Sequence, residues 1–224
     1  MLRVVSCCTY LTEVASVLWR ARDHDAHDFV MAVKAKPING FAQIPCRGQA
    51  HRIDDSNRDL ALGLFGRMVA DSAAEHGLAS PCVLVPVPNS RCQLESQTPR
   101  TLEQAQALAA ELGTGVIVAD ALRWSEPLAS ASAASGMRDP QRLFGKLQVI
   151  GTFPEGRGGY VLVDDVLTSG GHLRACAAML RAHGRSVELA LVAGRADRAQ
   201  VAEPFTMRTD VLADFAPRPA TRNC

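Results

Sequence analysis

Two adjacent acids and a small-residue turn form the clearest chemical signal in the sequence. They lie in VLVDDVLTSGGHL, residues 161–173, where Asp164 and Asp165 follow an apolar run and precede the turn Thr168–Gly171. Glycines let neighbouring backbone N–H groups converge on one anion, and a helix that starts at such a turn adds the positive end of its dipole. The pattern therefore predicts a phosphate monoester at the turn. Vicinal hydroxyls of a sugar, or a hydrated Mg²⁺, suit the two acids.

The elements on either side of the turn support this interpretation. Residues 160–166 have the apolar character of a buried strand, and residues 170–183 carry apolar side chains at helical spacing before Gly184, which is typical of a helix end. In open parallel sheets, ligands bind at the carboxyl ends of the strands, where these acids are expected. The alternative is a strand and turn without a ligand, whose acids only cap the helix.

The rest of the chain predicts alternating helices and strands. Apolar runs rather than alternating patterns favour a parallel sheet that helices cover on both faces, which is an α/β fold with a small N-terminal or hood region. We expect an N-terminal helical extension over residues 1–27, a main domain over 28–212 and a C-terminal tail over 213–224. The predicted helices are 9–22, from Ser56 to near Gly77, and 101–112, and the predicted strands are 28–36, 82–88, 115–124 and 187–196. Residues 37–54 and 125–145 are expected to be irregular, and 146–153 to form an outer strand or hairpin arm.

Residues 161–173 resemble the signature of type I phosphoribosyltransferases, in which an apolar strand, two acids and a Gly-rich Thr/Ser loop follow one another. The resemblance implies that the loop binds the 5-phosphate of phosphoribosyl pyrophosphate (PRPP). It also implies that Asp164 and Asp165 are catalytic, contact the ribose hydroxyls and hold Mg²⁺ directly or through water. The implied 5-phosphate residues are Thr168, Ser169, Gly170, Gly171 and His172. His172 stands where the family usually has Thr or Ser.

Upstream residues resemble the competence protein F (ComF-like) branch of that family, over about residues 28–195. VLVPVPNSR at 83–91 is similar to its VPVP strand, and RTLEQAQALA, which begins at Arg100, is similar to its RGFNQA loop and helix. Arg100, Gln104 and Ala105 match that motif, while Thr101 replaces Gly and Glu103 replaces Asn; Lys34 resembles the Lys of an upstream strand. The resemblance implies that Arg100 is catalytic and that Arg91 or Arg100 offsets the charge of pyrophosphate. The implied pyrophosphate-binding residues are Val87, Pro88, Asn89, Ser90 and Arg91.

Two departures from the branch bear on these expectations. The branch usually has four zinc-binding cysteines near its N-terminus, whereas this chain offers only Cys7 and Cys8 there, so we predict no zinc finger. Thr101 in place of Gly is expected to stiffen the loop that would close over the reaction.

The composition sets limits on the class of protein. Lys and Arg number 24 against 23 for Asp and Glu, a net charge of +1 that creates no global field for nucleic acid or an anionic membrane. The seven cysteines form no repeated pair, which favours free thiols in a reducing compartment. No apolar run approaches the ~20 residues that cross a bilayer. The sequence thus predicts a soluble, cytoplasmic protein with no membrane association.

A second group of polar residues lies at 22–29, where His24, Asp25, His27 and Asp28 suggest either a metal site or a solvated connection. Their spacing matches no standard zinc pattern, which favours the solvated connection. Trp19 and Trp124 are interpreted as packing residues or contacts between lobes.

Three functional hypotheses remain open from the sequence. The first is a Mg²⁺-dependent phosphoribosyltransferase that passes the phosphoribosyl group of PRPP to an unknown small-molecule nitrogen acceptor. The second is a non-catalytic PRPP or nucleotide sensor in a DNA-uptake or DNA-handling system, as the ComF resemblance implies, with DNA-processing proteins as partners and a homodimer as an expected assembly. The third is a nucleic-acid-binding protein, against which the near-neutral charge argues.

Overall fold

The computed structural model describes residues 1–12, 17–90, 92–93, 98–128, 139–154 and 158–218. Its helices are α1 (Ala21–Val33), α2 (Leu60–Ser72), α3 (Thr101–Leu112), α4 (Pro140–Lys146) and α5 (Gly171–Ala182). Its strands are β1 (Leu2–Leu11), β2 (Phe41–Cys46), β3 (Gln49–Asp54), β4 (Cys82–Pro86), β5 (Val116–Val118), β6 (Leu122–Trp124), β7 (Leu147–Val149), β8 (Tyr160–Leu167), β9 (Val187–Asp197) and β10 (Arg208–Leu212).

Six of these strands form the central sheet, in the order β10-β1-β9-β8-β4-β5. The neighbours β1 and β9, β9 and β8, β8 and β4, and β4 and β5 are parallel, and β10 is an antiparallel edge strand beside β1. β2 with β3, and β6 with β7, form two small antiparallel sheets. The predicted architecture, a parallel sheet flanked by helices, is confirmed.

Helices cover both faces of the sheet. On one face α1, α2 and α3 pack on the strands through buried side chains such as Phe29, Leu64 and Leu108. On the other face α5 packs through Leu173 beside α4 and the paired strands β6 and β7, of which Trp124 is fully buried. The central strands are covered by these layers on both faces, which explains why their sequences are uninterrupted apolar runs. None of the described helices is both long and apolar enough to cross a bilayer.

The order in which the chain adds strands to the sheet reverses between β4 and β8, although these two strands are parallel. From β4 the chain passes through α3, on one face, to β5 at the edge, whereas from β8 it passes through α5, on the other face, to β9. A crevice opens at the carboxyl ends of two neighbouring strands where such connections diverge, and ligands of open α/β sheets bind there. The topology therefore singles out the ends of β4 and β8.

The predictions for the N-terminal segment were wrong. Residues 9–22 were predicted as a helix, but residues 9–11 belong to β1, which lies in the sheet between β10 and β9, and residues 13–16 lie outside the described part. Residues 28–36 were predicted as a strand, but α1 runs through this segment to Val33. Strand β1 is buried almost throughout because both faces are covered. α1 buries Ala26, Phe29, Val30 and Val33, a helical spacing among charged residues. The predicted boundary between residues 27 and 28 falls within α1.

Elsewhere the differences are smaller. The helix predicted from Ser56 begins at Leu60, because the Asp54 carboxylate accepts hydrogen bonds from the Ser56 N–H and hydroxyl and fixes a turn there. Segment 37–54 holds the β2–β3 hairpin, segment 115–124 is divided into β5 and β6, and β10 follows the strand predicted to be last. Segment 125–145 includes the start of α4, and its residues 129–138 lie outside the described part. The predictions of β4, α3, β8, α5 and β9 are confirmed.

Two glycines of α2 provide a test of how closely α2 and α3 pack. A Cβ at Gly66 would lie 2.9 Å from Glu111 Cγ and 3.0 Å from the Ala107 carbonyl oxygen, whereas a Cβ at Gly63 would have only Arg67 Nη2, at 3.9 Å, within 4 Å. We expect Gly66→Ala to destabilise the protein by about 1–3 kcal/mol through overpacking. Gly63→Ala should stabilise it by roughly 0.5–1 kcal/mol through helix propensity. Urea denaturation measures both, and equal stabilisation by the two alanines would contradict the close contact.

Candidate functional site at the carboxyl ends of β8 and β4

The two acids of the predicted site lie in β8, beyond the point where β4 stops pairing with it. Pairing with β4 ends at Val163, whereas pairing with β9 continues to Leu167. Asp164 and Asp165 were expected where the strand ends, but β8 continues past them. They reach the carboxyl edge on the β4 side only, which is the position where the topology of the sheet favours a ligand-binding crevice.

The two carboxyl groups have different surroundings. Successive side chains of a strand point to opposite faces, and Asp165 lies near α1, where the Lys34 ammonium nitrogen is 3.7 Å from its Oδ2. Asp164 lies on the α5 side, close enough for its charge to act on the Cys176 thiol. The Asp165 N–H donates to Asp164 Oδ1 at 2.9 Å. Asp165 is therefore a carboxylate that pairs with Lys34, whereas Asp164 is a carboxyl on the side of the sheet that α5 covers.

Asp164 favours its neutral form. Its residue is half-buried, but the protein atoms around the carboxyl keep water away, and this burial raises the pKa of Asp164 well above its usual range. The charge of Asp165 raises it further, while the Asp165 N–H and the Lys34 ammonium lower it. Asp164 therefore retains a proton at pH values at which an exposed Asp has lost it.

Gly170 directly precedes α5, and both its backbone conformation and its surroundings disfavour a side chain at this position. Gly170 has φ 72° and ψ 9°, in the left-handed region, and a Cβ there would lie 2.5 Å from Leu212 Cδ1. Leu212 thus covers one side of the turn, while Thr168 and Ser169 are exposed. The first N–H groups of a helix have no intrahelical acceptor, so this end of α5 offers donors beside two hydroxyls.

Trp124 connects the β4–α3 loop with α5. Its indole N–H donates to the Pro88 carbonyl at 3.0 Å, and its ring centroid lies 5.5 Å from that of His172 in the first turn of α5. Thr101, the first residue of α3, holds the same loop through a 2.6 Å hydrogen bond from its hydroxyl to the Val87 carbonyl. The interpretation of Trp124 as a packing residue or lobe contact did not include this hydrogen bond, because the bond spans 36 positions.

The remaining loop residues are also fixed through their carbonyl groups. The Ser90 carbonyl accepts from the Leu128 N–H at 3.0 Å, and the Asn89 carbonyl accepts from the Cys92 N–H at 2.9 Å. Arg91 lies outside the described residues. The structure thus places Val87 to Ser90 next to the crevice, and their contact with pyrophosphate stays a prediction.

Arg100 and Lys34 meet at the carboxyl end of α1. The Arg100 guanidinium donates to the Lys34 carbonyl oxygen, and the Lys34 side chain reaches Asp165. Gln104, one turn further along α3, donates to the Val33 carbonyl at 3.1 Å. The lysine singled out by resemblance therefore lies at the candidate site. Arg100 is engaged with protein in this structure, and its contact with pyrophosphate stays a prediction.

The polar group at residues 24–28 is arranged through contacts within the protein. His27 Nδ1 lies 3.0 Å from Asp28 Oδ1, and the Trp19 ring packs on both histidines, with centroids 5.0 Å from His24 and 5.3 Å from His27. Among the described residues, no cluster of three or more His, Cys, Asp or Glu side chains is suited to a metal ion. Five cysteines, Cys7, Cys8, Cys46, Cys82 and Cys176, are free and buried, as the interpretation of free thiols predicted, and Cys92 is buried.

Comparison with known proteins gives a coarse likeness. No protein-family model matches the chain, and no curated protein is similar to it. Two crystal structures of a hypoxanthine phosphoribosyltransferase from Staphylococcus aureus are similar to it. The tetragonal form has a TM-score of 0.37 and 11% identity over 65% of this chain and 70% of that one. The orthorhombic form has a TM-score of 0.35 and 13% identity over 64% and 71%.

The raised pKa of Asp164 predicts an unusual dependence of stability on pH. The folded state keeps a proton that the unfolded state loses above about pH 4, so the stability contributed by the neutral carboxyl is full below that pH and is lost as pH rises through the folded pKa. Asp164→Asn stays neutral, so its stability relative to the wild type should increase from pH 4 to pH 8. Urea midpoints measured across this range test the expectation.

Asp23→Asn is the matched control, because hydrogen bonds from Arg20 lower the pKa of Asp23. Its contribution is present at neutral pH and is lost as pH falls through the lowered folded pKa. This variant should therefore be less stable than the wild type at pH 7 and approach it in acid. A pH-independent difference between Asp164→Asn and the wild type would show that Asp164 titrates normally.

Proposed function

We propose that this protein binds PRPP at the carboxyl ends of β8 and β4 and transfers its phosphoribosyl group to a nitrogen acceptor, with release of pyrophosphate. One observation carries the proposal. Two acids, the start of α5 after Gly170, and the loop that Thr101 and Trp124 hold lie at the carboxyl ends of β8 and β4, where the strand order of the sheet reverses. The Trp124 contacts with Pro88 and His172 support their proximity. Such a set of groups matches a ligand with a sugar between two phosphate-bearing arms.

The sugar 5-phosphate would bind at the amino end of α5. The exposed hydroxyls of Thr168 and Ser169 and the first N–H groups of the helix are donors, and the helix dipole favours the anion. The ribose hydroxyls would lie over β8. There the neutral Asp164 would donate a hydrogen bond and the Asp165 carboxylate would accept one.

The pyrophosphate arm would extend toward the β4–α3 loop. Arg100, at the start of α3, would exchange the Lys34 carbonyl for pyrophosphate oxygens, which a guanidinium binds more strongly. Proteins commonly bind Mg²⁺ through one or two carboxylates together with substrate phosphates, so the Asp165 carboxylate fits this role, and Asp164 would join it only by losing its proton when the metal binds. When bound, Mg²⁺ would neutralise charge on the departing pyrophosphate.

In the transfer step the bond between C1 of the ribose and the pyrophosphate oxygen breaks, and a bond from C1 to the acceptor nitrogen forms. The acceptor then loses a proton to solvent or to a base. Positive charge develops on the ribose as the bond breaks, and the Asp165 carboxylate beneath it would stabilise that charge. The loop tied to Thr101 and Trp124 would fix the leaving group in line with the attacking nitrogen.

Pyrophosphate release tests this proposal. The full chain would be supplied with PRPP and Mg²⁺ together with purine, pyrimidine and simple amine acceptors, and PRPP binding would be measured in parallel by calorimetry. Turnover with any acceptor supports the transferase. Binding without turnover supports the sensor, and absence of binding contradicts both.

Replacing the two acids tests their place in the site. We expect Asp164→Asn with Asp165→Asn to weaken PRPP binding by about 10- to 100-fold, since the hydrogen bond to the charged Asp165 carboxylate alone contributes about 1.5–3 kcal/mol. Asp71→Asn is the control, because Asp71 pairs with Arg47 on the surface. Calorimetry measures the affinity and circular dichroism the fold. Unchanged affinity in the double variant would remove both acids from the site.

A further inference from the structure

Arg100, which directly precedes α3, and Gln104, within α3, hold the carboxyl end of α1. The last carbonyl groups of a helix have no intrahelical donor, and here the Val33 carbonyl accepts from Gln104 Nε2 at 3.1 Å while the Lys34 carbonyl accepts from Arg100. Gln104 is fully buried, and its bond to Val33 joins positions 71 residues apart. The position of this helix end is therefore set by α3.

Lys34 follows directly after that helix end. Its ammonium nitrogen lies 3.7 Å from Asp165 Oδ2, and the two side chains are 19% and 23% exposed. A lysine side chain has four flexible carbons, so a contact at this distance depends on where the backbone of residue 34 is held. The Gln104 bond fixes that backbone one residue away.

We propose that Gln104 is a positioning residue of the sugar site: by holding the end of α1, it keeps Lys34 against Asp165 and so sets the affinity for PRPP. This inference rests on the proposed function and adds to it a residue that contacts neither the sugar nor the phosphates. Its effect passes through the Lys34 ammonium, which lies 3.7 Å from the Asp165 carboxylate and holds it in place.

The fold alone gains little from the amide of Gln104. Nε2 makes one hydrogen bond, but Oε1 is buried with no hydrogen-bond partner among the described residues. An unsatisfied buried acceptor is costly, so a methionine of similar length would lose one bond and also remove that cost. A substitution can therefore separate the positioning of α1 from general stability.

Gln104→Met is the test, and Gln106→Met is its matched control, because Gln106 is exposed two positions along the same helix. We expect the PRPP affinity of Gln104→Met to fall about fivefold, the loss of roughly one hydrogen bond, with a urea midpoint near that of the wild type. Gln106→Met should bind as the wild type does. Wild-type affinity in Gln104→Met would overturn the inference.

A double-mutant cycle shows whether the effect passes through Lys34. Lys34→Met should weaken PRPP binding by itself, and adding Gln104→Met should then have no further effect, because coupled residues are not additive. Equal losses from Gln104→Met in both backgrounds would mean that Gln104 acts by another route and would overturn the inference.

A measurement without ligand distinguishes this inference from the proposed function. Acylation of Lys34 by an amine-reactive reagent, followed by mass spectrometry, should be faster in Gln104→Met than in the wild type or Gln106→Met. Failure of the wild type to bind PRPP contradicts the proposed function, whatever the acylation rate. Equal acylation rates in a protein that binds PRPP contradict the positioning role alone.

Discussion

Strand β8 pairs with its two neighbours over different lengths, and the candidate site depends on this offset. The ladder with β4 stops at Val163, while the ladder with β9 continues to Leu167. One side of β8 is therefore fixed in the sheet while the other side opens at Asp164 and Asp165. A loop entering from β4 can approach the acids without breaking backbone hydrogen bonds of β8. The same strand thus supplies both rigidity and access, which positions its side chains more firmly than a free loop would.

Several features of this edge oppose folding. Asp164 is a carboxyl whose charged form is disfavoured by burial, Gly170 holds a left-handed backbone conformation, and Gln104 buries an acceptor without a partner among the described residues. Each would be avoided if stability were the only requirement. They lie around the carboxyl ends of β8 and β4 and the end of α1, although Thr9 Oγ1, elsewhere in the sheet, is also buried without a partner among the described residues.

The sequence predicted the elements whose signals are local. Strand β8, the turn and α5 follow one another within one segment, and α3 is bounded by Thr101 and Gly113 as expected. The N-terminal segment was misread because its signals compete. Strand β1 is buried on both faces, so its apolar run does not show the alternation of polar and apolar residues that marks a half-exposed strand. Helix α1 has charged residues on either side of a narrow apolar stripe. The position of β1 between β9 and β10, which is a contact between distant parts of the chain, identifies this segment as a strand.

The contacts that complete the site could not be read from the sequence, because they join distant positions. Thr101 illustrates this. As a departure from a glycine it suggested only a stiffer loop, but in the fold its buried hydroxyl donates to the Val87 carbonyl at the end of β4. A glycine would leave that carbonyl without this donor and would let the loop move independently of α3. Thr101 therefore ties the loop after β4 to the helix that also holds the end of α1, so both sides of the candidate site take their positions from α3.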